Sequence, residues 1–110
     1  MFLVAAALLA SHAALGAPFP SGVFSSAPER RACYIRYRLV TNATIEDVAN
    51  FYKAEAANAG AGLFDDTGMK FHDYRTLTFV TQPKFMFVVL DRKDGHTSAS
   101  VNFKPGSGCR

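Results

Sequence analysis

The sequence predicts an α+β domain, with one amphipathic helix packed on a mainly antiparallel sheet of four or five strands in the order β-α-β-β-β(-β). Three observations carry this. Residues 34–41 alternate apolar and polar side chains, residues 45–59 repeat apolar ones at helical spacing, and the stretch 69–103 reads as several strands divided by turn residues. Residues 1–17 are expected to be a signal peptide, residues 18–32 a linker or N-terminal arm, and residues 33–110 a single α+β domain.

The chain opens on an uninterrupted apolar run over residues 1–10, followed by Ser11-His-Ala-Ala-Leu-Gly-Ala17 and then Pro18. A hydrophobic core followed by small residues is the form of a secretory leader. The run is shorter than the roughly 20 apolar residues needed to span a bilayer, so no stable membrane span is expected after cleavage. No Lys or Arg precedes the core, so the α-amino group alone supplies positive charge there. Cleavage after Ala13, with Ser11 two positions before it, or after Gly16, with Ala14 two before it, satisfies the small-x-small rule. Cleavage after Ala17 would leave Pro18 at the new N-terminus, which is unfavourable.

Residues 18–32 are rich in Pro, Ser, Gly and Ala without periodicity, and Phe19, Val23 and Phe24 are candidate anchors for such an arm. In the strand 34–41, Ile35, Tyr37 and Leu39 share one face while Arg36 and Arg38 share the other. Thr44 is a good helix N-cap, and Glu46 and Asp47 place acids where the helix dipole favours them. Ile45, Val48, Ala49, Tyr52, Ala56 and Ala59 form the apolar stripe, and Gly60 and Gly62 end the helix.

Beyond Leu63-Phe-Asp-Asp-Thr-Gly68, residues 69–81 read as a short strand, a turn near Asp73 and Tyr74, and a second strand carrying Leu77 and Phe79 on one face. Gln82-Pro83 breaks the run. A strand over 84–91 follows, then a hairpin turn over 92–96 with Gly95 at a positive-φ position. The last strand, 97–103, alternates Ser98, Ser100 and Asn102 outward against Ala99, Val101 and Phe103 inward. Residues 85–90 stand out because they are apolar on both faces. Either the N-terminal arm covers the excess, or the open face meets a partner or a second copy.

The formal charge of +3 is small and of mixed sign, unlike the clustered basic footprint of a nucleic-acid binder. Cys33 and Cys109 are the only cysteines, and in an oxidising compartment they read as a disulfide. Closing so long a loop stabilises a small domain by about 4 kcal/mol in the chain-entropy picture. If 69–81 is a hairpin of two strands, Cys109 emerges at the same end of the sheet as Cys33. If it is one long strand, the tail must double back.

No glycine-rich phosphate loop and no dinucleotide fingerprint are present, and no Gly-x-Ser-x-Gly elbow or patterned carboxylate pair marks a catalytic centre. No catalytic, metal or cofactor residue is assigned. Asp65, Asp66, His72 and Asp73 would converge on a metal only if their loop folded back on itself. Arg30 and Arg31 precede Cys33, but no histidine shares its element to act as a base. Asn42-Ala-Thr44 matches a glycosylation sequon, and capping already explains Thr44.

Tyr37-x-x-x-Thr41-Asn-Ala-Thr-Ile-Glu-Asp-Val-Ala-Asn-Phe51-Tyr, followed by Leu77-Thr-Phe79 and a terminal strand, resembles small uncharacterised bacterial secreted or periplasmic α+β domains. Those carry a strand, a capped helix ending in Phe-Tyr, and a β-meander. The resemblance covers residues 34–103 and implies a fold and an extracytoplasmic setting, but it transfers no active residues. The Trp that often follows the helix glycine in such domains is replaced here by Ala61-Gly-Leu63.

The expected function is a non-enzymatic protein-binding or accessory module, periplasmic or secreted, with an inhibitor or immunity-type protein as one concrete form. It would bind an unknown protein partner or a second copy through Arg36 and Arg38, or through Met86, Val88 and Leu90, and needs no cofactor. The alternative is a small ligand carrier or hydrolase with a pocket between helix and sheet, centred on Tyr52, His72 and Tyr74.

Overall fold

The computed structural model describes residues 15–68 and 73–104. Its elements are β1 (Val23–Phe24), β2 (Glu29–Arg31), β3 (Tyr34–Thr41), α1 (Ile45–Asn58), β4 (Leu63–Thr67), β5 (Tyr74–Thr81), β6 (Lys84–Lys93) and β7 (His96–Lys104). They form one antiparallel sheet in the order β1-β3-β7-β6-β5-β4, and β2 shares the outer edge of β3 with β1. Among the described residues, the α+β class and the single helix agree with the sequence. The strand count does not: seven strands replace the four or five expected.

Two physical causes account for the difference. The arm read as a linker is drawn onto the unpaired edge of β3, where Val23 and Phe24 face Val40 and Leu39, and Glu29–Arg31 face Arg36–Tyr34. Strands this short leave no periodic signal; the edge that recruits them makes them strands. The short partner of β5 also lies earlier than expected, at Leu63–Thr67, with Leu63 opposite Phe79 and Thr67 opposite Thr76. A bulge at Phe64 interrupts its alternation and hides it from a period-2 reading.

The helix begins where its cap predicts. Thr44 has extended backbone and its hydroxyl accepts the Asp47 N–H at 3.1 Å. It ends at Ala59 with Gly60 at φ 80°, the Gly60 N–H bonding to Ala57 O and the Ala61 N–H to Ala56 O. That pairing satisfies the last carbonyls and needs the left-handed backbone that glycine adopts freely. Lys84 adds a third partner, its Nζ donating to Ala59 O.

One face of the sheet carries the core. Ile45, Val48, Ala49, Tyr52 and Ala56 of α1 pack on Tyr37, Leu39, Leu77, Phe79, Met86, Val88, Leu90, Ala99, Val101 and Phe103. Each large apolar side chain buried there contributes roughly 1.5–3 kcal/mol. Leu15 joins this core, and Phe19 packs edge-on to Phe51 at 5.3 Å. At the helix entrance Arg92 Nη1 donates to Ala43 O and Thr97 Oγ1, tying the β6–β7 hairpin to the loop before α1. No helix among the described residues is long and apolar enough to cross a membrane.

Candidate functional site

With one helix on one face, alternation leaves the other face of the sheet to solvent. Pairing across the strands assembles it row by row. Arg36 stands opposite Asn102, Asn102 opposite Phe87, and Phe87 opposite Thr78; in the next row Arg38, Ser100, Val89 and Thr76 align. At the far end the rings of Tyr34 and Phe85 meet edge to face at 6.1 Å. Phe87 is 36% exposed and Tyr34 42%, so the aromatic strip is open.

The strip lies beside a basic margin. β2, β3 and the end of β7 carry Arg30, Arg31, Arg36, Arg38 and Lys104 against Glu29 alone. The Glu29 carboxylate accepts from Arg36 Nη2 at 2.9 Å, and the Arg36 guanidinium holds its pKa below the usual carboxylate value. Both groups are half exposed, so the pair adds little to folding. Arg38 has no ion pair among the described residues. Residues 25–28 bulge from the edge between β1 and β2, anchored by the Ser25 N–H donating to Arg38 O at 2.8 Å. Beneath this bulge lies a cleft of about 370 Å³ bordered by Ser25, Ser26, Glu29, Arg36, Arg38 and Ser100. The Glu29 carboxylate already occupies an Arg36 donor here, and the Arg38 guanidinium with the serine hydroxyls suits a further carboxylate.

Of the interaction residues expected from the sequence, Arg36 and Arg38 are on this face. Met86, Val88 and Leu90 are not: all three are 0% exposed and lie under α1, which corrects that expectation. The outward side chains of β6 are Phe85, Phe87 and Val89. The hairpin turn held the signal for this. Asp94 and Gly95 sit at φ 55° and 79° in a two-residue turn, so Lys93 faces His96 and, by the same register, Leu90 faces Ala99. Residues directly opposite share a face, so an inward Ala99 requires an inward Leu90. Tyr34 and the 25–28 bulge carried no comparable signal. The arm does not cover the excess either, because Phe19 packs on the helix side and Phe24 lies against Tyr37.

Among the described residues, Tyr52 and Tyr74 of the expected pocket do not line a common cavity. Tyr52 is fully buried, with its hydroxyl 2.8 Å from that of Tyr37. Tyr74 pairs with Asp91 at the outward end of β5, and His72 lies outside the described residues. A different groove of about 350 Å³ opens where the alanine-rich end of α1 passes β4 and β5, bordered by Lys53, Ala57, Ala61, Leu63 and Phe79. Small side chains there leave a gap rather than a close approach.

The acids considered for a metal diverge. Asp65 accepts from the Thr67 hydroxyl, whereas Asp66 is bonded by Arg75 at 2.9 Å and by Lys53 at 2.7 Å on the helix side. Cys33 is half-buried between β2 and β3, and Cys109 lies outside the described residues. β7 runs antiparallel to β3, so the chain leaves Lys104 at the end of the sheet where Cys33 stands. Comparison with protein-family models finds no match, no curated protein matches the chain, and no solved structure matches it.

Proposed function

We propose that this protein is a non-enzymatic binding or accessory module, exported to the periplasm or secreted, that docks an acidic protein partner on the open face of its sheet. The observation that carries the reading is the pairing of an aromatic strip, exposed Tyr34 and Phe87 with half-buried Phe85, with a basic margin whose Arg38 has no ion pair among the described residues. Apolar area supplies affinity in such a contact, and complementary charge supplies orientation and encounter rate. Arg38 in the 25–28 cleft is the seat for a carboxylate of the partner, and the strip beside it takes the partner's apolar side chains. An inhibitor or immunity-type role is one form of this function.

The test is an NMR amide titration of the protein with a synthetic peptide alternating Glu and Phe, with its Gln-Phe counterpart as control. Shifts around Arg38, Ser100 and Phe87 that appear with the acidic peptide and weaken with salt are the expected result. Arg38→Glu and Phe87→Ser should each abolish them while leaving the fold intact. Shifts at the groove beside Ala57 and Leu63, none at all, or displacement of the peptide by a dimer forming through this face would overturn the proposal.

A further inference from the structure

We infer that the partner docked on the open face is bipolar: an extended segment whose carboxylate seats at Arg38 and whose cation, about six residues along, seats at Asp65. The inference rests on the docking reading above and fixes the charge order that a partner must carry.

Strand register places the two seats. Arg38, Ser100, Val89, Thr76 and Thr67 form one row across β3, β7, β6, β5 and β4, and Arg36, Asn102, Phe87, Thr78 and Asp65 form the row beside it. Residues directly opposite share a face, so Asp65 stands on the face of Phe87, at the edge away from the arginines. The bulge at Phe64 makes this so. Leu63 lies opposite Phe79 and Asp65 opposite Thr78, so Leu63 follows buried Phe79 inward while Asp65 follows Thr78 outward. Asp66 then turns in to Arg75 and Lys53, which occupy its carboxylate. Asp65 is exposed, accepts from the Thr67 hydroxyl on its own strand, and forms no ion pair among the described residues.

On the three strands between these edges the two rows carry no charge, only Ser100, Asn102, Phe87, Val89, Thr76 and Thr78. The outward charges of β6, Asp91 and Lys93, stand nearer its hairpin and offset each other. β3 and β4 are four strand steps apart, which at roughly 4.8 Å each is about 19 Å. That exceeds the screening length of about 8 Å in physiological salt, so Arg38 and Asp65 do not neutralise each other and each stays open to a partner's charge. An extended chain rises about 3.3 Å per residue, so about six residues match the span, and every second side chain points the same way. A segment of the form Glu-x-Phe-x-Phe-x-Arg therefore lays both charges and two rings on this face. A uniformly acidic segment would set a carboxylate against Asp65, and like charges across an interface are costly.

The test is an amide NMR titration of the protein with the peptide Glu-Thr-Phe-Thr-Phe-Thr-Arg, blocked at both termini, and with the same peptide ending in Gln. The Arg peptide should bind about two- to fivefold tighter, the size of one exposed ion pair. Asp65→Asn should erase that difference, whereas Arg38→Gln should weaken both peptides alike. A nitroxide on the Glu end should broaden the Arg38 and Ser100 amides, and one on the Arg end the Asp65 and Thr78 amides. Equal binding of the two peptides to the wild type, a preference that survives Asp65→Asn, or the same amides broadened by either label would overturn the bipolar partner while leaving the docking face standing. Failure of both peptides to bind this face would overturn both readings. The comparison of peptides uses the unaltered protein, so its outcome does not depend on how a variant folds.

Discussion

Asp66 is held by cations from two elements, Arg75 on β5 and Lys53 on α1, and so pins helix to sheet at one point. The Arg75 hydrogen bonds are the main cause that lowers its pKa from the ordinary 3.8 to about 2, and Lys53 adds to the shift against the opposing cost of burial. Because the folded value lies below the unfolded one, the stabilisation is complete above pH about 4 and is lost as pH falls towards 2. Its size is on the order of 1–2 kcal/mol. Urea midpoints taken across that window should therefore fall for the wild type, whereas Asp66→Asn starts lower and shows a flatter acid limb. A parallel decline in both would remove Asp66 as the cause. None of this could be read from the local sequence, because Asp65 and Asp66 are adjacent acids, and only the bulge at Phe64 decides which one turns towards the helix.

Among the elements, β6 separates two roles along one apolar run. Met86, Val88 and Leu90 fill the space under α1, while Phe85, Phe87 and Val89 stand on the other side. Met86→Ala should cost about 2–5 kcal/mol of stability through the cavity it leaves. Phe87→Ser should cost about 1 kcal/mol or less. Urea unfolding of the pair checks the assignment, and a reversed order would mean the faces are exchanged. The two sheet edges are protected in different ways. β1 and β2 cover β3 with a break between them, and β4 is short, bulged and acidic, which discourages pairing with another chain.

For the molecule as a whole, the proposed Cys33–Cys109 bridge would join the ends of the outer strand pair. The antiparallel register of β3 and β7 places Cys33 and the end of β7 at one end of the sheet; the strand pair behind this parity is Leu63–Thr67 with Tyr74–Thr81, not a hairpin within residues 69–81. Reduction, or the Cys33→Ser/Cys109→Ser variant, is expected to lower stability by about 2–4 kcal/mol. Two thiols reacting with iodoacetamide in the folded protein would exclude the bridge. A domain of this size buries only about 60–65% of the surface of its unfolded chain, so one such closure is a large fraction of its stability.

Local chemistry was legible wherever it acts over a few residues. The Thr44 cap, the stripe from Ile45 to Ala56, the alternation of Tyr37 and Leu39 with Arg36 and Arg38, and the Asp94-Gly95 turn all lie where their residue types place them. The strands β1, β2 and β4 became strands only because the edges of β3 and β5 were available to pair with, and no property of Val23, Glu29 or Leu63 announces that. The same holds for the candidate site. Its residues were visible singly, but the face they share depends on register, and register is set by pairing partners far along the chain. Packing likewise claimed Leu15 for the core and holds Gly16 and Ala17 beside it, because Phe103 and Tyr37, distant in sequence, supply the ring and the hydroxyl they meet.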